Sequence, residues 1–131
     1  VQAQNISIKV ADGAIAYGVL ALGTSRDTVT LGDTQRATND GNVSEDFNVI
    51  GTDTANWILA TSAVGPNEYL HEFKGDAASY ATLDQQTFKL ARDAIPAGSS
   101  ATLDFRITVP TSDSSNGATQ NANITVQATA N

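Results

Sequence analysis

Alternation of apolar and polar side chains along the chain is clearest in Ala101–Pro110, where every second residue is apolar and Thr, Asp or Arg stands between. Because side chains on a β-strand point alternately to opposite faces, this pattern predicts a strand with one buried and one solvent-facing side. A sheet with one wet face is usually antiparallel and needs a second layer against its buried face. We therefore expect the rest of the chain to supply that layer.

Shorter segments of strand character recur at intervals of roughly 8–12 residues, separated by turn residues. This spacing is typical of a sandwich, and we predict an all-β fold: an antiparallel β-sandwich, Ig-like or jelly-roll-like, with about eight or nine strands. Gly23–Asp27 and Gly32–Asn42 are expected to be loops and turns. The candidate strands are Asn5–Val10, Ala14–Leu22, Thr28–Leu31, Val43–Ile50, Trp57–Ala60, Tyr69–Phe73, Tyr80–Leu83, Thr87–Ala91, Ala101–Val109 and Ala122–Ala130. Tyr80–Leu83 could equally be a loop, and Leu83–Ala91 could also form one helical turn.

Three of these segments carry more specific expectations. Ala14–Leu22 is almost continuously apolar and fits a strand buried on both faces, although periodicity alone does not exclude a short helix. The single tryptophan, Trp57, is expected near the centre of the core. In Val43–Ile50 the inward positions include Phe47 and Val49, and Glu45 shares their parity, which predicts that Glu45 lies near the open end of the strand.

Composition narrows the class of protein. The chain has 131 residues, enough for one domain, and a net charge of −7, which argues against nucleic acid or anionic lipid as partners. Charged residues make up only 16%, as in secreted β proteins, so we expect an extracellular location at the cell surface. The absence of methionine indicates processing, either signal-peptide cleavage before Val1 or a trimmed recombinant chain. No run approaches the ~20 apolar residues of a membrane span, and without cysteine there are no disulfides.

Catalytic chemistry is not predicted. The only histidine, His71, would have to serve as the base of any Ser-His-Asp triad, and no nucleophile motif surrounds a serine. One histidine and no cysteine make a zinc site improbable, and no pair of carboxylates is identified for glycoside hydrolysis. A calcium site is left open, because Asp33, Asp53 and Asn39–Gly41 lie in neighbouring loops. We expect no cofactor, no metal and no enzymatic activity, and His71 to be an ordinary strand residue.

Two surface features remain open. Asn5, Asn42 and Asn123 each begin an Asn-x-Ser/Thr glycosylation pattern, which chance also produces in a chain rich in these residues. Aromatic residues are only 6% of the chain, so a carbohydrate-stacking platform is less favoured than a core role for them. The candidates for such a platform are Trp57, Tyr17, Tyr69 and Tyr80.

The first dozen residues are the unusual part. Ile6, Ile8 and Val10 alternate with polar residues in a segment where many domains fray. They can pair within their own sheet, which the residues alone favour, or be added to the edge of a neighbouring subunit's sheet. We therefore divide the chain into an N-terminal strand, residues 1–12, that is a candidate donor arm, and one sandwich domain, residues 13–131, with a hinge at Asp12 and Gly13. The acceptor edge would lie beside Ala101–Val109 or Ala122–Ala130.

The order of these features resembles secreted β-sandwich proteins of the TasA/camelysin-like group and the subunits of archaeal bundling pili. The resemblance implies an extracellular filament in which the N-terminal strand of one subunit completes the sandwich of the next, giving a helical homopolymer that contacts other filaments or the cell surface. A monomeric module that binds polysaccharide or cell wall is the alternative. No His-Glu-x-x-His is present, so proteolysis is not implied. The segments that carry the resemblance are the N-terminal strand, Ala16–Leu20, Asn39–Val43, Asp46–Val49, Leu103–Ile107 and Ile124–Val126.

Overall fold

The computed structural model describes residues 3–131, and the regular secondary structure in this part of the chain is almost entirely β. The only helix in it is one turn, which confirms the all-β prediction. Val1 and Gln2, the start of the predicted donor arm, lie outside the described residues. The elements are β1 (Ile8–Val10), β2 (Ser25–Asp27), α1 (Thr28–Leu31), β3 (Gln35–Asn39), β4 (Glu45–Ile50), β5 (Ile58–Leu59), β6 (Glu68–Lys74), β7 (Ala81–Thr82), β8 (Lys89–Ile95), β9 (Ser100–Thr108) and β10 (Thr125–Ala130).

Two sheets of unequal size form the sandwich. The larger sheet runs in the order β1-β3-β9-β6-β5, with β2 beside the second half of β9 and β7 beside β6; the smaller runs β10-β4-β8. All pairs are antiparallel except β5 with β6. The strand predicted most clearly, β9, is central: β3 and β2 occupy one edge and β6 the other. Ala101–Val109 therefore does not offer an acceptor edge, and that part of the prediction was wrong.

The core lies between the sheets and is built from the positions that the alternation placed inward. Phe47 and Val49 of β4 are fully buried against Leu103 and Phe105 of β9. Each such side chain contributes about 1.5–3 kcal/mol by leaving water. Tyr69, fully buried on β6, occupies the central position that was expected for Trp57, which lies half-buried at the margin of the core.

Thr28–Leu31 is a helical turn rather than the predicted strand. The carboxylate of Asp27 caps its start by accepting a hydrogen bond from the Thr30 amide at 2.7 Å, and Gly32 ends it with a left-handed φ of +68°. The stabilisation of the helical turn by its two capping residues outweighs the preference of the β-branched residues between them for a strand. Directly before the turn, Ser25–Asp27 pairs with β9 instead of forming a loop.

Strand β3 falls where turns were predicted, because two of its three buried side chains, those of Gln35 and Asn39, are polar. Asn39 is fully buried, donates from Nδ2 to the carbonyls of Val43 and Ile95 at 2.7 and 2.8 Å, and accepts from the Gly41 amide. Gln35 at the other end is buried in the same way and bonded to neighbouring loops. Since buried polar groups are stable when hydrogen-bonded, the strand does not need an apolar face.

Candidate interface groove

A groove of about 930 Å³ runs along the open side of the sandwich, between β10 and the segment Ala14–Leu22. We call this space the groove and Ala14–Leu22 the strap. The larger sheet forms the floor of the groove through its inward apolar side chains. The strap forms one wall, and the segment 117–124 together with Val126 of β10 forms the other. The apolar lining of the groove includes Ile15, Leu20, Leu103, Phe105, Ile107 and Val126.

The groove exists because the smaller sheet has only three strands to cover the larger one. Strand β10 pairs with β4 through six residues, from Thr125 opposite Ile50 to Ala130 opposite Glu45. Within residues 3–131, its other edge pairs with no strand. Val126 and Ala128, which point inward, are therefore only half-buried.

The strap was predicted as a strand but has no regular secondary structure. It is held mainly by side chains: Gln35 Nε2 donates to the Ala14 carbonyl at 3.3 Å, and Arg26 Nη1 donates to the Tyr17 carbonyl at 2.7 Å. The Tyr17 hydroxyl lies 3.0 Å from His71 Nε2, and the two rings meet edge to face with their centroids 5.7 Å apart. The strap thus rests on the larger sheet without joining it.

His71 lies on the floor of the groove and is buried. Burial lowers its pKa to about 4, so the imidazole is neutral at pH 7. Burial likewise raises the pKa of Tyr17, which stays protonated. Within residues 3–131, the Tyr17 hydroxyl is the one hydrogen-bond partner of the His71 imidazole, which bonds to no serine or carboxylate. This arrangement orients a strap residue and provides no activated nucleophile.

Trp57 stands at the rim of the groove. Its indole Nε1 donates to the Asp113 carboxylate at 3.2 Å, and its ring packs 6.0 Å from that of Tyr69. Hydrogen bonds from Ser115, followed by the one from Trp57, lower the pKa of Asp113 to about 2. The fourth aromatic candidate, Tyr80, lies on the outer face of the larger sheet under the Arg106 guanidinium, 4.4 Å from the ring centroid. The four aromatic residues therefore do not form one platform.

The predicted donor residues lie at the edge of their own sheet in the isolated subunit. Strand β1 pairs with β3, with Ile8 opposite Asn39 and Val10 opposite Ala37. Ile8 is half-buried against the core, whereas Ile6 is 43% and Val10 37% exposed. Strand β1 thus contributes little apolar surface to the core that it borders.

Upstream of β1, the chain is fastened to the β3–β4 loop. The Asp40 and Asn42 amides donate to the carbonyls of Ser7 and Asn5 at 3.2 and 3.0 Å, and the Ser7 amide donates to Glu45 Oε1 at 2.8 Å. Glu45 is the first residue of β4, as its parity predicted, but it is fully buried and its Oε2 has no partner within residues 3–131. Sequence reasoning did not identify this contact.

Gly41 allows this close approach. A Cβ at Gly41 would collide with the Asn5 carbonyl and lie 2.6 Å from Glu45 Oε1 and 3.1 Å from the Ser7 amide. The sequence signal was the predicted turn around Asn39–Asn42, which indicates the turn but not the segment packed on it. At the predicted hinge, Gly13 has a left-handed φ of +77° and donates from its amide to Gln35 Oε1 at 3.2 Å.

The glycosylation candidates differ in accessibility. Asn42 Nδ2 donates to the Ala3 carbonyl, and its Oδ1 accepts from the Asn5 amide, both at 2.8 Å, so a glycan on Asn42 would displace the N-terminal segment. Asn5 and Asn123 are exposed.

A carboxyl group lies beside the predicted hinge. Desolvation and the neighbouring carboxyl of the hinge residue Asp12 raise the pKa of Asp33.

Two other kinds of functional feature, a metal site and a membrane-spanning helix, bear on the function of this protein. Residues 3–131 contain no group of three or more His, Asp or Glu side chains placed to hold a metal ion. In this range no helix is long and apolar enough to cross a membrane. No protein-family model, curated protein or solved structure matches the chain. Any proposal about function therefore depends on the groove and on the residues that surround it.

Proposed function

We propose that this chain is the structural subunit of an extracellular filament, and that it polymerises head to tail by adding its N-terminal strand to the groove of the next copy. The observation that carries the proposal is a groove with an apolar floor whose lining includes Val126 of β10, a strand with one unpaired edge. Such an edge can accept an extended peptide, with backbone hydrogen bonds providing affinity and alternate side chains filling pockets. The resemblance to filament-forming sandwich proteins supports the same arrangement.

The donor segment and the unpaired edge match in length. Asn5–Val10 has six residues and spans about 20 Å when extended, as does β10. Alternation would direct Ile6, Ile8 and Val10 onto the apolar floor, with Lys9 facing outward.

Burial favours the exchange over pairing within the subunit. Three such side chains are worth roughly 5–9 kcal/mol when fully buried, before ordering costs. In their own sheet Ile6 and Val10 remain 43% and 37% exposed, so only part of this free energy is realised. Transfer to the groove would also cover Val126 and Ala128 of the acceptor, which are half-buried in the isolated subunit.

The resulting contact is heterologous, because the donor and acceptor surfaces differ. Repeating a heterologous contact whose rotation does not close produces an open helical array rather than a ring. Donation along one chain of contacts also provides mechanical continuity in a protein without cysteine, in which covalent cross-links through disulfides are impossible. Export after signal-peptide cleavage and contact with other filaments or the cell surface are parts of the same proposal.

Deleting residues 1–12 tests the proposal. The truncated chain should fail to form filaments by electron microscopy and, mixed with the intact chain in small amounts, should shorten filaments because it accepts a strand but cannot donate one. Val126→Asp, in the groove, should block assembly, whereas the control Gln127→Asp, on the exposed side of the same strand, should not. Wild-type-like filaments from the truncated chain would refute donation.

A monomeric polysaccharide- or cell-wall-binding module is the second candidate, since β1 pairs with β3 of the same subunit and Trp57 stands at the groove rim. This module would remain monomeric at high concentration, and Trp57 emission would respond to a soluble glucan or peptidoglycan fragment. Size-exclusion chromatography of the intact chain distinguishes the two candidates. Concentration-dependent polymers support the filament, and a stable monomer supports the module.

A further inference from the structure

The backbone of the strap is unpaired, although its sequence favours a strand. None of the N–H groups of Ala14–Leu22 donates a hydrogen bond to any part of residues 3–131. The carbonyls of Ala14 and Tyr17 accept only from side chains, and that of Ala21 accepts from the adjacent Thr24. The strap therefore lies along the groove with a row of free backbone donors.

Two features explain why the strap is not a strand in the isolated subunit. A strand needs a partner for its backbone, and the groove separates the strap from β10. Gly18 has a left-handed φ of +78°, which breaks the extended course. Ile15 and Tyr17 line the groove before this break, and Val19 and Leu20 line it after the break. Ile15, Tyr17 and Leu20 are half-buried, whereas Val19 is 97% exposed.

We propose that the strap is the second edge of the acceptor site, and that it becomes a β-strand when the N-terminal strand of another copy enters the groove. The entering strand would then be hydrogen-bonded on both sides, to β10 and to Ala14–Leu22. Gly18 would adopt an extended conformation, and Val19 would take the inward parity shared by Ile15 and Tyr17 in exchange for Leu20, which would turn outward. This inference rests on the proposed function, and it identifies Ala14–Leu22 as the segment that would pair with the second edge of the entering strand.

Hydrogen–deuterium exchange measures this conversion directly. The intact chain is compared alone, in the assembled form, and with an excess of a synthetic peptide that carries residues 3–12. Amides of both Thr125–Ala130 and Ala14–Leu22 should exchange at least tenfold more slowly in the assembled or peptide-bound form. Protection of Thr125–Ala130 without protection of the strap would overturn this inference and leave the proposed function intact. Protection of neither segment would overturn both.

Gly18→Ala provides an independent test with a matched control. An alanine is strained at the left-handed φ of the isolated subunit but not in a strand, so the variant should favour assembly. The critical concentration should fall about fivefold, because the strain of the unassembled strap is removed on assembly. Gly98→Ala introduces the same backbone strain, at φ +81° in the β8–β9 turn, and should leave the critical concentration unchanged. A Cβ at Gly98 meets nothing within 4 Å, whereas a Cβ at Gly18 lies 3.2 Å from Arg26 Nη1, the end of a flexible side chain that can shift. Equal effects of the two substitutions would refute the conversion.

Val19→Pro tests the backbone itself. Proline removes one N–H, which has no partner in the isolated subunit within residues 3–131, so folding should be retained. The critical concentration for assembly of the variant should nevertheless be at least fivefold higher, because a proline in the strap has no N–H to donate and the hydrogen-bond ladder is weakened. Assembly equal to that of the intact chain would contradict pairing through the strap.

Discussion

Gly41→Ala should release the N-terminal strand from its own sheet while the rest of the sandwich stays folded. The added Cβ would collide with the Asn5 carbonyl and crowd Glu45 Oε1 at 2.6 Å. Backbone and a fully buried carboxylate have little room to move, so relief requires the segment around Asn5 and Ser7 to lift away. Strand β1, which follows directly, would lose its anchoring.

The contacts at stake set the magnitude. Five hydrogen bonds fasten the segment upstream of β1. Three come from the amides of Asp40, Asn42 and Ser7 and are each worth about 1 kcal/mol, whereas the two made by the Asn42 side chain are exposed and are replaced by bonds to water. Removing the Ser7 amide also leaves Glu45 buried without its donor, which costs about 1–3 kcal/mol more. We therefore expect the free energy of unfolding to fall by about 4–6 kcal/mol. Water that reaches the Glu45 carboxylate would reduce this loss.

Urea denaturation provides the free energy, and hydrogen exchange locates the change. Amides of Ser7–Val10 should lose protection, whereas those of β9 should change only in proportion to global stability. Gly117→Ala is the control, because a Cβ there meets nothing within 4 Å and only its left-handed φ of +77° is strained, at about 1 kcal/mol. Wild-type protection of Ser7–Val10 in Gly41→Ala would refute this account of the N-terminal segment.

Three further predictions concern the rest of the molecule. Because burial lowers the pKa of His71 to about 4, the unfolded state binds more protons below pH 6.5, and the free energy of unfolding by urea should fall by about 2–3 kcal/mol from pH 7 to pH 4.5. His71→Gln should remove that part of the loss, and an unchanged pH dependence in the variant would contradict the assignment. Asp113→Ala should shift the emission of Trp57 to longer wavelength by freeing its indole N–H, and an unchanged spectrum would argue against their hydrogen bond. Arg106→Lys should cost about 1 kcal/mol in thermal or urea unfolding, because lysine cannot form the paired 2.9 Å bonds to the Glu72 carboxylate; a neutral effect would mean that this partly exposed pair contributes nothing.

Apolar alternation predicted those strands whose inward faces are apolar. Strands β4, β6, β9 and β10 all fall within or across predicted segments, and the buried positions of Phe47, Tyr69 and Phe105 follow from parity alone. Strand β3 was missed because Gln35 and Asn39 occupy its inward positions. Their hydrogen-bond partners, such as the Ile95 carbonyl, lie far away in the chain, so a local pattern cannot indicate that they are satisfied.

The candidate site was predictable only in part, for a related reason. The pattern identified Ile6, Ile8 and Val10 as strand residues, but the groove results from a missing strand beside β10 and depends on how many strands each sheet receives. The strap has the composition of a strand, but its backbone pairs with no strand within residues 3–131. The contact between Ser7 and Glu45, 38 residues apart, likewise arises from the tertiary fold.

Under the proposed function, the N-terminal strand has two competing positions, and the difference in free energy between them determines how assembly proceeds. Beside β3 the strand pairs through three residues and is held within its own subunit, so this position is favoured at low concentration. Beside β10 it would meet a six-residue edge and bury Ile6 and Val10 more completely, so this position gains with concentration. Because the strand must leave β3 before it can be donated, release should limit the rate of growth. Gly41→Ala, which weakens the first position and alters no residue that lines the groove, should therefore shorten the lag before filaments appear.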